Sequence, residues 1–435
     1  MMIGLRVKES CLPLIETVIK RRGFLTNADL ANEIGVTAAT AGKFRRGMPI
    51  SKNNFCEFCH CLDLNWLEIS ASGSEPKPTT SFPPEPPEGV IPIEASYYIR
   101  RSPQEEIWYS SIEYQSALLR ICGPRQFGKS SLARRILDRA HHLGHKTLYC
   151  SLRELQDENL TDTTTFLGWF YSHIAFNLGL SQEIQKYKDL IDLGYVGSSN
   201  ACLNCFSSYL LPKCPEPITL CIDKLDRLLL NPTVAKDFFT LLRVMHEKTK
   251  TDSNWHNFRS ILVYASENIE SLVPLDINQS PFNVGKLITV PEFTPQEIIT
   301  LAKAYQLDWT NAEAEQIMAI VGGLPFLVHL TIHALATQSL SPTDLTPNHP
   351  LYHPYLTKLH RTLTHHQLLP IVQTIAQSPD PIAIAPPLRN PLQNRGVIIV
   401  NDNRATLRCN LFRHYFSRSI APQTSHNPSD RHPHP

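Results

Sequence analysis

The chain has 435 residues, with 41 Lys and Arg against 40 Asp and Glu and a formal net charge of +1. That length exceeds one ordinary core and predicts two or three domains, while the balanced charge removes any whole-chain case for nucleic acid or an anionic membrane and leaves such binding to local patches. No apolar run is long enough to cross a bilayer, and Met1 to Glu9 is charged with no apolar core behind it, so the expected location is cytoplasmic. Eleven scattered cysteines, an odd number, point to reduced thiols rather than a disulfide framework.

Residues 1–70 predict a small all-α domain. Leu14, Ile15, Val18 and Ile19 recur at helical spacing, and Gly23 can stop that helix. Thr26 sits where an N-cap belongs before Asn27 to Ile34, Gly35 serves as the turn glycine, and Thr37 caps a third helix that ends at Gly47. Two helices joined by a short glycine-containing turn form a helix-turn-helix pattern, with Thr37 to Lys43 in the recognition position. The run LANEIGVTAATAGKFRRG, from Leu30 to Gly47, with Asn53 and Phe55 opening the next helix, resembles helix-turn-helix domains of the phage-repressor type. More narrowly, it is similar to the N-terminal domain attached to cyanobacterial signalling and conflict-system ATPases. Lys43, Arg45 and Arg46 would suit phosphate contacts, but nine Lys and Arg against seven Asp and Glu through Ser70 make a weak footprint for DNA. Docking of a partner protein and contact with DNA therefore both stay open. Cys56, Cys59 and Cys61 flank His60, which suggests zinc, yet Phe55, Phe58, Cys59 and Leu62 share one helical face and fit a packed core better.

The proline-rich stretch 71–89 reads as an extended linker. Beyond it, Ile91 to Ile99 looks strand-like. The stretch SALLRICGPRQFGKSSLARRIL, from Ser116 to Leu137, is an apolar strand, a Gly-x-x-x-x-Gly-Lys-Ser loop and an amphipathic helix. A phosphate chain needs converging N–H donors and a cation, and this spacing supplies both. Gly123 and Gly128 allow close backbone approach, with Pro124, Arg125, Gln126 and Phe127 between them. Lys129 would reach the β- and γ-phosphates, the Ser130 hydroxyl would ligate Mg²⁺, and Ser131 completes the binding set. Further apolar strands are predicted at Lys146 to Ser151, Ile218 to Asp223, Arg259 to Ala265 and Lys286 to Val290, with helical stretches between, as in a mostly parallel sheet. Asp223, at a strand end, can hold the Mg²⁺ water shell beside Ser130.

The blocks YYIRRSPQEE, ICGPRQFGKSSL, LCIDKLDRLL, PLDINQSPFNVG, VPEFTPQEI and VGGLPFLVHL together resemble the AAA-like domain of cyanobacterial signal-transduction ATPases, related to the STAND class of nucleotide switches, over about Tyr97 to Phe416. The resemblance implies a P-loop NTPase of ASCE/STAND-like type: multidomain α/β, with a nucleotide-binding domain at 90–291, a helical lid at 292–340 and a winged helix at 350–420; the composition of 421–435 separately predicts a disordered tail. It further implies ATP as ligand, Ser266 or Glu267 as polar sensor, and a Gly-Leu-Pro turn ending at Pro325 against the base. The winged helix is expected to pack on the nucleotide domain rather than bind DNA.

One residue departs from the family pattern. After Asp223 that pattern carries a glutamate that orients and helps deprotonate the attacking water, whereas this chain has Lys224. A protonated lysine cannot accept that proton, so hydrolysis is expected to be slow or absent, with Asp226 and Glu267 as substitute carboxylates. The expected function is an ATP-binding switch that acts through a protein partner. A DNA-binding regulator is the alternative, and a nucleotide-dependent oligomer stays open, with Arg125, Arg227 and Arg243 the candidates for an arginine acting in trans.

Overall fold

The computed structural model describes residues 5–8, 11–24, 26–62, 64, 69–71, 86–265, 269, 273, 278–338 and 340–418. The chain forms two compact units, Met1–Pro83 and Pro84–Pro435.

In the first unit, α1 (Leu12–Arg21) buries Ile15 and Ile19. A capping box at Thr26 and Asp29 starts α2 (Asn27–Ile34), Gly35 ends it in the left-handed conformation, and Thr37 caps α3 (Ala38–Arg45). Helix α4 (Lys52–Cys61) follows. Phe44 stacks on Phe58 at 4.6 Å and meets Phe55 edge-on at 5.4 Å, and Cys59 and Leu62 are buried with them. Among the described residues no group of three or more His, Cys, Asp and Glu is placed to hold a metal.

The all-α expectation is corrected here. Strands β1 (Arg6–Val7) and β2 (Ser70–Ala71) pair antiparallel, and the Lys8 N–H donates to Ile69 O at 2.9 Å. Burial of Val7 and Ile69 draws the two ends of the unit together, a pairing too short and too distant in sequence to leave a local period.

The second unit opens with a second correction. Residues 91–99 form turns instead of a strand. Pro92 has no donor for a ladder, and the segment hangs instead on the next long helix. The Ile91 N–H donates to Ser131 Oγ at 3.0 Å, and the Arg135 guanidinium donates to the Ile91 and Pro92 carbonyls at 3.1 and 2.6 Å.

After α5 (Gln104–Ser110) come β3 (Leu118–Cys122), α6 (Lys129–His142), β4 (Lys146–Ser151), α7 (Thr163–Asn177), α8 (Ile184–Asp192), α9 (Ser198–Cys205), β5 (Ile218–Asp223), α10 (Pro232–Thr251), β6 (Phe258–Val263) and β7 (Lys286–Thr289). The five strands pair in parallel in the order β4-β5-β6-β3-β7, so β6 lies between the strand before the glycine loop and the strand that ends at Asp223. Side chains alternate between two cores: Leu118, Cys122, Leu220 and Ile222 face the aromatic cluster of α7 and α10, while Leu119, Ile121 and Cys221 face α6. This is the multidomain α/β fold of P-loop NTPases.

Three helices follow the sheet, α11 (Pro295–Ala304), α12 (Asn311–Val321) and α13 (Pro325–Gln338). The C-terminal module contains α14 (His353–His365), α15 (Leu369–Gln377), β8 (Ile382–Ala383), α16 (Pro386–Asn394), β9 (Ile398–Asn401), β10 (Arg404–Leu407) and α17 (Asn410–Ser417). Its antiparallel sheet has the order β8-β10-β9. Helices α11 to α13 and this module share a continuous apolar core with α6 and one face of the sheet.

Candidate functional site

Residues 123–128 turn at the carboxyl end of β3 and feed directly into α6, whose N-cap is Gly128. Gly128 lies at φ 86°, where a side chain is strained, and this left-handed turn leads the chain into the helix N-terminus. Gln126, at φ 66°, is also left-handed. Arg101 braces the loop from behind. It is 3% exposed, its guanidinium donates to Phe127 O at 3.2 Å, and it lies 5.0 Å from the centre of the Phe293 ring.

Lys129 is 6% exposed, and its ammonium donates to Pro124 O at 2.6 Å. Burial pushes its pKa down to about 8, helped by the nearby Lys224 charge and opposed by Asp226 and Asp223. Ser130 Oγ donates to Asp223 Oδ2 at 2.7 Å, which joins the helix start to the end of β5. Ser131 is buried with its hydroxyl turned to the Ile91 N–H, so only its backbone is left for the loop.

Asp223 is 1% exposed and fully engaged. Besides Ser130, the Tyr149 hydroxyl donates to Oδ2 at 2.5 Å and the Lys224 N–H donates to Oδ1 at 2.8 Å. The Tyr149 ring lies under the Arg134 guanidinium at 4.0 Å, and burial with the Asp223 charge raises the phenol's pKa. Lys224 sits in the left-handed conformation at φ 66°. Its ammonium lies 4.0 Å from Asp223 Oδ1 and donates to Ser130 Oγ at 3.2 Å.

The remaining sequence candidates divide. Asp226 reaches the site's rim, but its carboxylate accepts the Ala265 N–H at 2.7 Å. Ser266 and Glu267 lie outside the described residues. Pro325 opens α13, and the turn before it approaches closely: the Phe293 N–H donates to Gly323 O at 2.8 Å, and a Cβ on Gly323 would stand 2.5 Å from Phe293 O. Arg227 pairs with Asp157 at 2.7 Å and Arg243 with Glu247 at 2.6 Å, so both are committed within the chain. Arg125 is exposed on the loop, and its N–H donates to Asn394 O at 3.0 Å.

Sequence reasoning missed four side chains around the loop. Tyr149 and Arg101 are two of them. Arg408, from the C-terminal module, lies 5.3 Å from the Phe127 ring centre and pairs with Glu292. Arg395 faces Arg125, and its pKa is lowered by burial and then by that like charge. The one signal was that a tyrosine in an apolar strand needs a partner for its hydroxyl, as the half-buried Tyr149 does. The arginines come from distant segments and left none. Together these groups present helix N–H donors, a buried ammonium and a hydroxyl–carboxylate pair at one sheet edge, an arrangement able to hold an anion and position a cation.

The AAA-like domain family matches residues 86–418 of the chain, the whole stretch from before the loop to the end of α17. The chain belongs to that family. The AAA-like domain thus takes in the sheet, helices α11 to α13 and the C-terminal module, and residues 1–85 lie outside the match. An uncharacterized WD repeat-containing protein of Synechocystis sp. is 28% identical over 130 residues, which are 29% of this chain and 11% of that protein. The chain therefore spans about a tenth of the curated relative it matches. Among solved structures, the Walker-type ATPase of Pyrococcus abyssi aligns with TM-score 0.49 and 18% identity over 73% of this chain and 96% of its own. The Aeropyrum pernix ORC2 protein, solved as ADPNP-ADP complexes, aligns with TM-score 0.44 and 16% identity over 75% of this chain and 98% of its own. A STAND protein with a tetratricopeptide repeat sensor from Pyrococcus horikoshii aligns with TM-score 0.32 and 12% identity over 77% of this chain and 45% of its own.

Proposed function

We propose that this AAA-like domain binds ATP at the loop 123–130 and acts as a nucleotide-dependent switch in signalling or a conflict system, with slow hydrolysis. The observation that carries the reading is the Ser130–Asp223 hydrogen bond beside the buried Lys129, which gathers phosphate donors and a cation position on one sheet edge. Backbone N–H groups of the loop and of the start of α6 would receive the phosphates, and Lys129 would leave Pro124 O for the β- and γ-phosphates. Hydroxyl and carboxylate are the oxygen donors that Mg²⁺ takes, and Mg²⁺ when bound neutralises charge on the β- and γ-phosphates. Lys224 contends for the same two groups.

Slow turnover follows from what surrounds Asp223. Lys224 is a proton donor where a base is needed, and Asp226 is committed to the Ala265 N–H. Loss of a positioned base costs about 10² to 10⁴ in rate. The C-terminal module supports the switch reading, because Asn394 and Arg408 touch the loop and an occupant of the loop would be sensed there. The first unit would pass that state to a protein partner, and an oligomer formed on nucleotide binding fits the same scheme.

A second reading, an ATP-responsive DNA-binding regulator, draws on the exposed Lys43 and Arg46 of the helix-turn-helix pattern. Calorimetric titration of the full chain with ATP and ADP tests the main reading. Wild type is expected to bind, and Lys129→Ala to lose about tenfold or more in affinity, the worth of a charge-assisted contact to phosphate. No binding by folded wild type at millimolar ATP ends the proposal.

A further inference from the structure

We propose that the Lys224 ammonium takes the place of the divalent cation, so that this chain binds the triphosphate without Mg²⁺. The inference rests on the ATP reading above and on three observations at the end of β5.

The first is position. The two groups that could ligate a metal, Ser130 Oγ and Asp223, already share a cation: the Lys224 ammonium donates to the hydroxyl at 3.2 Å and stands 4.0 Å from the carboxylate. A divalent ion on Ser130 would have a like charge against it, which disfavours its binding.

The second is anchoring. Lys224 holds a left-handed backbone at φ 66°, unusual outside glycine and Asn or Asp, and its own N–H donates to Asp223 Oδ1 at 2.8 Å. The root of the side chain is thus tied to the carboxylate that its tip serves, while the tip remains accessible at 47% side-chain exposure. Asp223 meanwhile receives donors from Ser130 and Tyr149 at Oδ2 and from the Lys224 backbone at Oδ1, and the side of Oδ1 left for a cation is the side where the Lys224 ammonium stands.

The third is charge. Exchanging a carboxylate for an ammonium at position 224 changes the local charge by two units, as much as one divalent cation brings. Lys129 and Lys224 then face the phosphates together, balanced by Asp223 and Asp226, and the site reaches with its own side chains the charge that a carboxylate at 224 would need Mg²⁺ to restore.

The test is calorimetric titration of the full chain with ATP in EDTA and in excess MgCl₂ at fixed ionic strength, on wild type, Lys224→Arg, Lys224→Ala and Lys224→Glu, with circular dichroism to confirm that each is folded. Wild type and Lys224→Arg are expected to bind with dissociation constants that differ by less than about threefold between the two buffers, because each keeps its own cation. Lys224→Ala is expected to weaken by about tenfold or more in EDTA, the loss of one charge-assisted contact, and to recover with Mg²⁺; Lys224→Glu should depend on Mg²⁺ more strongly still. Wild-type binding that needs Mg²⁺, or Lys224→Ala binding in EDTA as tightly as wild type, overturns the inference and leaves the ATP reading standing. Absence of binding in both buffers removes the two together.

Discussion

Tyr149 shows how much one hydroxyl can hold in place. Its O–H donates to the same Asp223 oxygen that takes the Ser130 proton, so the carboxylate is oriented from β4 as well as from α6. Tyr149→Phe removes a hydrogen bond to a buried charge without changing the ring under Arg134, and the expected loss is about 1.5 to 3 kcal/mol of stability in urea unfolding. A variant within about 0.5 kcal/mol of wild type would show that Asp223 does not depend on this bond. At this scale the sequence was legible where a motif fixes both residue type and spacing: Gly128, Lys129, Ser130 and Asp223 stand together as their pattern implied. It was not legible where the partner comes from a distant strand. The Lys-Thr-Leu-Tyr-Cys-Ser run announced a buried strand, but nothing in it announced that Tyr149 would meet the end of β5. The partner of the Ser131 hydroxyl was hidden for a related reason, since it comes from the turn at Ile91, a segment whose apolar residues imitate a strand.

Among the helices, α13 carries a titratable group with a defined consequence. His329, on the second turn of α13, shares a hydrogen bond with the Tyr305 hydroxyl at the end of α11 and packs 5.3 Å from the Tyr97 ring. Burial, with the His333 charge adding to it, lowers its pKa to about 4. The folded imidazole therefore stays neutral while the unfolded one takes up a proton below its ordinary value of 6.5, so stability is full above pH 6.5 and falls as pH drops toward 4. The shift corresponds to about 3 kcal/mol over that window. His246 in α10 is pushed down to about 4 in the same way, by burial first and then by the Lys250 and Arg243 charges. Thermal unfolding from pH 7 to 4 should thus show a steep loss that His329→Gln flattens and a second change at His246 flattens further; slopes equal in all three proteins would contradict the assignment. Elements themselves were readable wherever period and caps agreed, as at Thr26, Thr37 and the five parallel strands. The two-residue strands β1, β2 and β8 escaped, because pairing that short is decided by tertiary burial and leaves no repeat to read.

At the scale of the whole molecule, the two readings of function divide on what the first unit touches. DNA contact asks phosphate-binding cations of α3 and its cap, and the sequence offered Lys43, Arg45 and Arg46. Arg45 is withdrawn from that role. Its guanidinium donates to both Glu16 oxygens, at 2.7 and 2.8 Å, and to Asn27 Oδ1 at 3.1 Å, tying α3 to α1. The hydrogen bond to Arg45 lowers the Glu16 pKa, with burial opposing, so the pair is ionised and mutually satisfied at neutral pH. Arg46 turns its Nε to Gly42 O at 3.1 Å and remains exposed beside Lys43. Two exposed cations on α3 predict a salt dependence of duplex binding with a slope of about −2 in a log–log plot, and little retention near physiological salt. A protein-docking head should therefore give no gel shift of random duplex at micromolar protein and 150 mM salt, roughly the ionic strength at which so few contacts fail. Glu16→Ala supplies the internal control: it frees Arg45, should steepen the low-salt slope by about one, and costs the head some stability because an ion pair between two helices is lost. A wild-type slope of about −6 or steeper, persisting to 150 mM, would mean that phosphate contacts come from elsewhere in the chain and would move the DNA-binding regulator ahead of the protein-docking switch.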